Sequence, residues 1–317
     1  MVLLIVLLAA APALAQLPDF YKSVDRIVWV VDDLDRTVAA WKKTGMLVIA
    51  DFGTMETEDT LRGQPIKARF RWAVGRFPNV TADFVQPLDG GSAYSEYLKK
   101  HGAGVFALIH RVPNAAALNA EVARMEKLGV GVLQRQGDAY VMLDTEPGGK
   151  YVLGLLNDEP PPAPAPLPSA RPVTQYAFAV RDLDAVSKYW SALGWPVMST
   201  NDFTGPDRMY RGNPGRFTMR LGWQRHGKVP YEWILSTRGP NVYEDHLAKH
   251  GEGFHHLAFN VEDMDEATKK WESWGFAASQ SGAWGERGKP GSGRYAYHDL
   301  HTAAGIDVEL LWNYREK

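Results

Sequence analysis

The 317-residue chain repeats itself, and this repetition restricts its fold more than any single motif does. Adding 149 to a position carries Asp33-Leu34-Asp35 to Asp182-Leu183-Asp184, Trp41 to Trp190 and Gly45 to Gly194. It also carries Tyr94 to Tyr243, Lys100-His101 to Lys249-His250 and Gly104 to Gly253. An offset that holds over so many positions marks an internal duplication. A shorter offset of 81 carries Asp184 to Asp265, Trp190 to Trp271 and Gly194 to Gly275. Each repeat opens with an alternating apolar run, passes through an acidic turn, and continues with apolar residues at helical spacing that stop at glycine. Residues 24–31 illustrate the strand, Asp32 to Asp35 the capped turn, and Val38, Ala39 and Trp41 the helix face. The chain therefore reads as four strand–helix–strands modules in two pairs. Further strand-like segments fall at 67–74 and 79–85, and a helix is expected at 115–128. Asp182, Asp184, Asp263 and Asp265 stand before helices and are expected to cap them. Trp41, Trp190 and Trp271 are expected in cores.

Bulk properties bound the rest. The length exceeds the roughly 100–200 residues of one domain, so two are expected. A proline-rich stretch, EPPPAPAPLPSARP, at 159–172 reads as an extended linker between a domain at 16–158 and another at 173–317. Hydrophobic content of 45% and charged content of 23% suit a globular protein with a substantial core. The formal net charge is -2 with no basic block, which argues against a nucleic-acid partner. Residues 1–15, MVLLIVLLAAAPALA, form an apolar run closed by A-x-A. This predicts a signal peptide and an exported protein, periplasmic or secreted, with no membrane attachment after cleavage. The chain has no cysteine, so disulfides, thiolate ligands and thiol nucleophiles are excluded. A Gly-rich insert near 282–293 is expected to be a flexible loop able to act as a lid.

The phrases DFVQPLDGGSAYSEYLKKHGAGV (83–105) and YEDHLAKHGEGFHHLAFNVEDMD (243–265) resemble the vicinal oxygen chelate superfamily, which holds glyoxalase I, methylmalonyl-CoA epimerase, bleomycin resistance proteins and extradiol dioxygenases. The segments AYVMLDTEPGGKYVLGLL and YAYHDLHTAAGIDVELL are similar to its module ends. The resemblance covers both halves. It implies an α+β fold of four βαβββ modules in two tandem glyoxalase-like domains. It also implies a metal held by the first and last strands of paired modules.

Carried over residue by residue, the resemblance places Gln175, Glu232, His256 and Glu309 at the ligand positions of the second half. The first half has Arg26, Asp83, Ala107 and Gly154 there. The second half is thus expected to bind one divalent ion (Zn, Ni, Co, Mn or Fe), and the first half to be degenerate. Successive strand residues face opposite ways, so only one of His255 and His256 is expected at the pocket, and the repeat register selects His256. Glutamine at 175, where epimerases have a second histidine, makes the set similar to glyoxalase I. Glu309 and Glu232 are the expected proton carriers. Arg220, Trp223, Tyr297, His298 and His301 are candidate substrate contacts. The expected activity is that of a metal-dependent lyase or isomerase on a small molecule chelated through neighbouring oxygens. A non-haem Fe(II) dioxygenase and a non-catalytic binding protein are the alternatives. Four modules in one chain allow a monomer as well as a homodimer.

Overall fold

A computed structural model describes residues 17–159 and 162–315. The apolar leader at 1–15 and its cleavage point lie outside the described residues. Among the described residues no helix is long and apolar enough to cross a membrane.

Module one runs β1 (Arg26–Val30), α1 (Leu34–Thr44), β2 (Ile49–Leu61), β3 (Gln64–Phe77) and β4 (Val80–Pro87). A linking helix, α2 (Ala93–His101), leads to module two: β5 (Gly104–Arg111), α3 (Ala115–Lys127), β6 (Val132–Gln136), β7 (Tyr140–Leu143), the short α4 (Glu146–Gly149) and β8 (Val152–Leu156). Module three contains β9 (Val173–Ala179), α5 (Leu183–Ala192), β10 (Ser199–Phe203), the short strands β11 (Met209–Tyr210) and β12 (Asn213–Pro214), β13 (Thr218–Gln224) and β14 (Tyr231–Arg238). Helix α6 (Val242–Lys249) leads to module four: β15 (Gly253–Asn260), α7 (Met264–Ser273), β16 (Ala278–Trp284), β17 (Gly293–Asp299), α8 (His301–Ala304) and β18 (Asp307–Asn313). The fold is α+β with the expected module order.

The module helices start where the sequence places them. Asp33, Asp182 and Asp263 each accept a hydrogen bond from the backbone three residues on, and Asn114 does the same for α3. Such caps satisfy N–H groups that the first helical turn leaves unpaired. Trp41, Trp190 and Trp271 face inward and are buried. One strand went unread: β2, IADFGTMETEDTL, is charge-rich, with Ile49 buried and the rest half-buried or exposed. It lacks an apolar face and owes its order to pairing with β3 from Ile49↔Gly75 to Leu61↔Gln64. Most of the Gly-rich insert is loop, as expected: β16 ends at Trp284, β17 opens at Gly293, and the connection at 285–292 is exposed except at Ser292.

The first half closes into an eight-stranded barrel in the order β1-β4-β3-β2-β6-β7-β8-β5. The second half is a curled ten-stranded sheet, β10-β13-β14-β9-β15-β18-β17-β16-β11-β12. In both halves the central pair is the first strands of the two modules, and each is flanked by its own module's last strand.

The halves pack as one body. Phe77 meets Phe259 at 5.3 Å between ring centroids, and Tyr151 stacks on Phe178 and on Trp190. Trp190 Nε1 donates to the Gly149 carbonyl. Repeat partners clasp across the pseudo-two-fold: His101 Nδ1 lies 2.6 Å from the His250 carbonyl, and His250 Nδ1 lies 2.7 Å from the His101 carbonyl. Asn79 binds both backbone groups of Val173.

Candidate metal centre

Strand register brings the four expected ligand positions of the second half together. On β9, Ala177 faces Glu232 of β14 on one side and His256 of β15 on the other. On β15, Ala258 faces Gln175 of β9 and Glu309 of β18. Gln175 and Ala177 share one face of β9, as do His256 and Ala258 on β15. Both alanines are fully buried, and their small side chains leave the longer donors room to meet. The same pairings recur in the first half as Val28↔Asp83, Val28↔Ala107, Arg26↔Ile109 and Ile109↔Gly154. The assignment of Arg26, Asp83, Ala107 and Gly154 as counterparts therefore follows from the sheet itself.

Glu232, His256 and Glu309 are buried, with one ligand atom from each within 4.8 Å of the others. His256 Nε2 lies 3.2 Å from Glu309 Oε2 and 3.6 Å from Glu232 Oε2. These atoms converge without hydrogen-bond alignment, for both His256 Nε2 and Glu309 Oε2 are buried and lack a hydrogen-bond partner. Gln175 Oε1 is likewise buried and unpartnered. Buried polar atoms are rarely left so, and several in one place point to a missing partner of positive charge. One imidazole nitrogen and three oxygens suit a borderline-to-hard divalent ion, so the donor set fits a metal.

Without an ion, charge balance falls to the histidine. Burial favours neutral His256, but Glu309 and Glu232 beside it overcome that and raise its pKa to about 9. Burial also raises the Glu232 carboxyl, helped by the nearby Glu309 and opposed by His256. Around this group lie tyrosines. Tyr297 is paired with Glu309 across β17 and β18, and its ring centroid is 4.8 Å from that of His256. Its hydroxyl is 2.7 Å from that of Tyr243 on α6. Burial, with the Glu309 and Glu232 charges, keeps both phenols protonated. Tyr243 was not anticipated, although its repeat counterpart Tyr94 marks the same position on α2.

The other candidates separate by strand face. Trp223 is the cross-strand neighbour of Glu232 and belongs at the centre. Arg220 does not: it is exposed on the outer face, bound to Asp202 at 2.7 Å. His298 is buried under α7, bound through Nδ1 to the Phe276 carbonyl and packed on Trp271. Both are one residue out of phase with the inward positions, which the sequence pattern did not settle. His301 on α8 stands near Asp307, its Nε2 3.7 Å from Asp307 Oδ2, away from the three convergent donors. Of His255 and His256, only His256 joins the convergent donors, as expected; what alternation missed is the contact between the two rings. A bulge in β15 between Phe254 and His256 leaves His255 without a register partner, and the two rings meet with Nδ1 atoms 2.9 Å apart.

In the first half Arg26 takes the place of an ion. Its guanidinium donates to both oxygens of Asp83, at 2.7 and 3.0 Å, and Trp72 Nε1 donates to the same carboxylate. Ala107 and Gly154 offer no donor side chain. A large surface cavity of about 1020 Å³ lies elsewhere, between α7 and the β16–β17 hairpin, and touches none of the three convergent residues.

Comparison with known proteins identifies the family and the fold. The family model "Glyoxalase/Bleomycin resistance protein/Dioxygenase superfamily" matches twice, over residues 25–142 and 174–297. The chain belongs to that superfamily. Its fold is similar to a variant of 4-hydroxymandelate synthase from Streptomyces coelicolor, with 15% identity, 93% of this chain and 94% of that one covered, and a TM-score of 0.62. It is also similar to a xylose isomerase-like TIM barrel/4-hydroxyphenylpyruvate dioxygenase fusion protein, at 12% identity and a TM-score of 0.59, over 93% of this chain and 50% of that one. A Mn(II)-bound glyoxalase from Novosphingobium aromaticivorans aligns over 93% of this chain and 83% of that one at 14% identity, with a TM-score of 0.49. No curated protein matches the chain. These likenesses concern the fold and leave the reaction open.

Proposed function

We propose that the protein is a divalent-metal-dependent lyase or isomerase of glyoxalase type, acting on a small substrate that presents two neighbouring oxygens. The observation that carries this reading is the make-up of the centre: two carboxylates and one imidazole converge, with the Gln175 amide on the same face. Gln175, Glu232, His256 and Glu309 would hold the ion. A divalent ion bound there would supply Lewis acidity to a substrate carbonyl and so make the adjacent C–H more acidic. Glu232 and Glu309, on opposite sides of His256, are placed to take a proton from one carbon and return it to the next. Tyr297 keeps its proton and, while accepting the Tyr243 hydroxyl, can donate a hydrogen bond to a substrate oxygen, and Trp223 offers an aromatic wall. Phe217, Met219 and Leu221 fill the same cup and exclude water from it.

The two-domain layout shared with dioxygenase folds raises the oxygen-dependent alternative. Such Fe(II) sites use two histidines and one carboxylate. Here the convergent donor set holds one histidine, His256, with the two carboxylates Glu232 and Glu309. The ligand count therefore favours proton transfer over oxygen chemistry.

The test is to incubate metal-loaded protein with thiol adducts of 2-oxoaldehydes in D2O while recording dissolved oxygen. Turnover with solvent deuterium in the product and no oxygen uptake is expected. Oxygen uptake dependent on Fe(II) would move the assignment to a dioxygenase. Tight ligand binding with no turnover under any ion would leave a binding protein. The leader at 1–15 adds the proposal of an exported protein, which fractionation of cells would test.

A further inference from the structure

The bulge in β15 is part of the fold, because the first half has it too. In β5 the register passes from Val105↔Trp29 to Ala107↔Val28, which leaves Phe106 over, as His255 is left over in β15. Subtracting 149 from 255 gives 106. At matching places, then, the half without a ligand set carries Phe106, Ala107 and Val152, whereas the half with one carries His255, His256 and Asp307. Val152 pairs with Ala107 as Asp307 pairs with His256. Three positions that are apolar in the first half are polar in the second, and all three polar side chains are buried.

Their contacts form a line. His256 Nε2 faces the carboxylates of Glu309 and Glu232, so an ion there takes the Nε2 lone pair and leaves the ring proton on Nδ1. Two ring nitrogens 2.9 Å apart share one proton between them. With His256 Nδ1 as the donor, His255 Nδ1 must be the acceptor, and the proton of His255 then sits on Nε2. The Nε2 atom of His255 is buried with no aligned partner, and Asp307 Oδ2 is 3.3 Å away. A metal-bound histidine is commonly held by a hydrogen bond at its other nitrogen, and that bond fixes its tautomer and tilt.

We infer that His255, backed by Asp307, is the positioning residue for His256: it accepts the His256 Nδ1–H and so presents Nε2 to the ion. This rests on the metal reading above and adds to it a requirement outside the ligand set. The ring planes cross at 89°, which aims one ring's edge at the other and matches a donor–acceptor pair better than stacking.

The test uses the full-length protein titrated with Co(II), with His255→Phe, His255→Asn and Asp307→Asn variants. Phenylalanine is the residue that the first half holds at this bulge, so it fits the site while removing the acceptor. Asparagine places an oxygen near the lost Nδ1. In the parent, Co(II) should give a d–d absorption band and one hyperfine-shifted, solvent-exchangeable histidine N–H proton resonance. We expect His255→Phe to weaken Co(II) binding by about 10- to 100-fold, shift the band and move or broaden that resonance. His255→Asn should recover most of the affinity and the resonance, and Asp307→Asn should fall between. A His255→Phe protein with the parent's affinity and spectrum overturns the inference. So does a His255→Asn protein no better than His255→Phe, since packing alone would then explain the loss. A parent that binds no Co(II) overturns the metal reading itself and this inference with it, which keeps the two failures distinct.

Discussion

At the scale of single residues, His256 gives the centre its pH dependence. Raised from 6.5 to about 9 between two carboxylates, it stabilises the ion-free protein while protonated. That contribution is fully present below pH 6.5 and is lost as pH climbs through about 9. An ion needs the same nitrogen unprotonated, so binding must expel the proton. Calorimetry in buffers of different ionisation enthalpy should show about one proton released per ion at pH 7, and affinity should rise roughly tenfold per pH unit up to about 9. Proton-free binding at pH 7 would contradict this account of the pocket. Arg26 makes the opposite case. It satisfies Asp83 permanently, and Arg26→Met should cost about 3–5 kcal/mol in urea unfolding because a buried carboxylate is left alone. It should not create a metal site, since Ala107 and Gly154 supply no donors. The donor positions 175, 232, 256 and 309 were legible from the family resemblance, and the 149-residue repeat kept the first three in register. The His255 contact was not, because alternation assumes an unbroken strand and the bulge leaves no signature in one copy alone.

At the scale of elements, the second half is an open sheet bridged by an irregular segment. Residues 204–217 leave β10, lie against β16 and return to β13. Pro206 O accepts from Ala283 N, and Arg211 N donates to Ser279 O. Tyr210 and Arg211 both bind Asp245 of α6, at 2.7 and 2.8 Å. Phe217, at the end of this segment, is buried in the cup beside the centre. We expect this segment to act as a cover that a substrate displaces on its way to Glu232 and Glu309. Asp245→Asn should weaken the cover's hold by about 1 kcal/mol and speed loss of the ion to a chelator about fivefold, read by stopped flow. An unchanged rate would mean that the ion leaves by another path. The sequence suggested a lid in the Gly-rich insert, whose loop at 285–292 borders the large cavity away from the three convergent donors. The segment at 204–217 is composed of short, turn-rich pieces whose order comes from pairing with β16 and α6, and local patterning does not report such contacts.

At the scale of the whole molecule, the duplication explains what was easy to read. Helix caps, core tryptophans and four-module order recur at fixed offsets, so each copy supports the others. The joint between halves was less visible. It rests on Phe77 against Phe259, Tyr151 against Trp190 and the crossed His101 and His250 bonds, none of which has a local pattern. Because one apolar core spans both halves, we expect a single calorimetric transition with equal calorimetric and van't Hoff enthalpies. Residues 173–317 expressed alone should expose Phe178 and Trp190 and fail to fold stably. Two separate transitions would show that the halves are independent.

The central claim is that one divalent ion belongs to the second half. Its most direct test is the metal content of the protein purified without added metal and then titrated with Zn, Ni, Co, Mn and Fe(II), beside a His256→Ala/Glu309→Ala variant of confirmed fold. About one ion per chain in the parent and none in the variant is the predicted result. Metal retained at the same stoichiometry by the variant, or a parent that takes up none of the five ions, would contradict it.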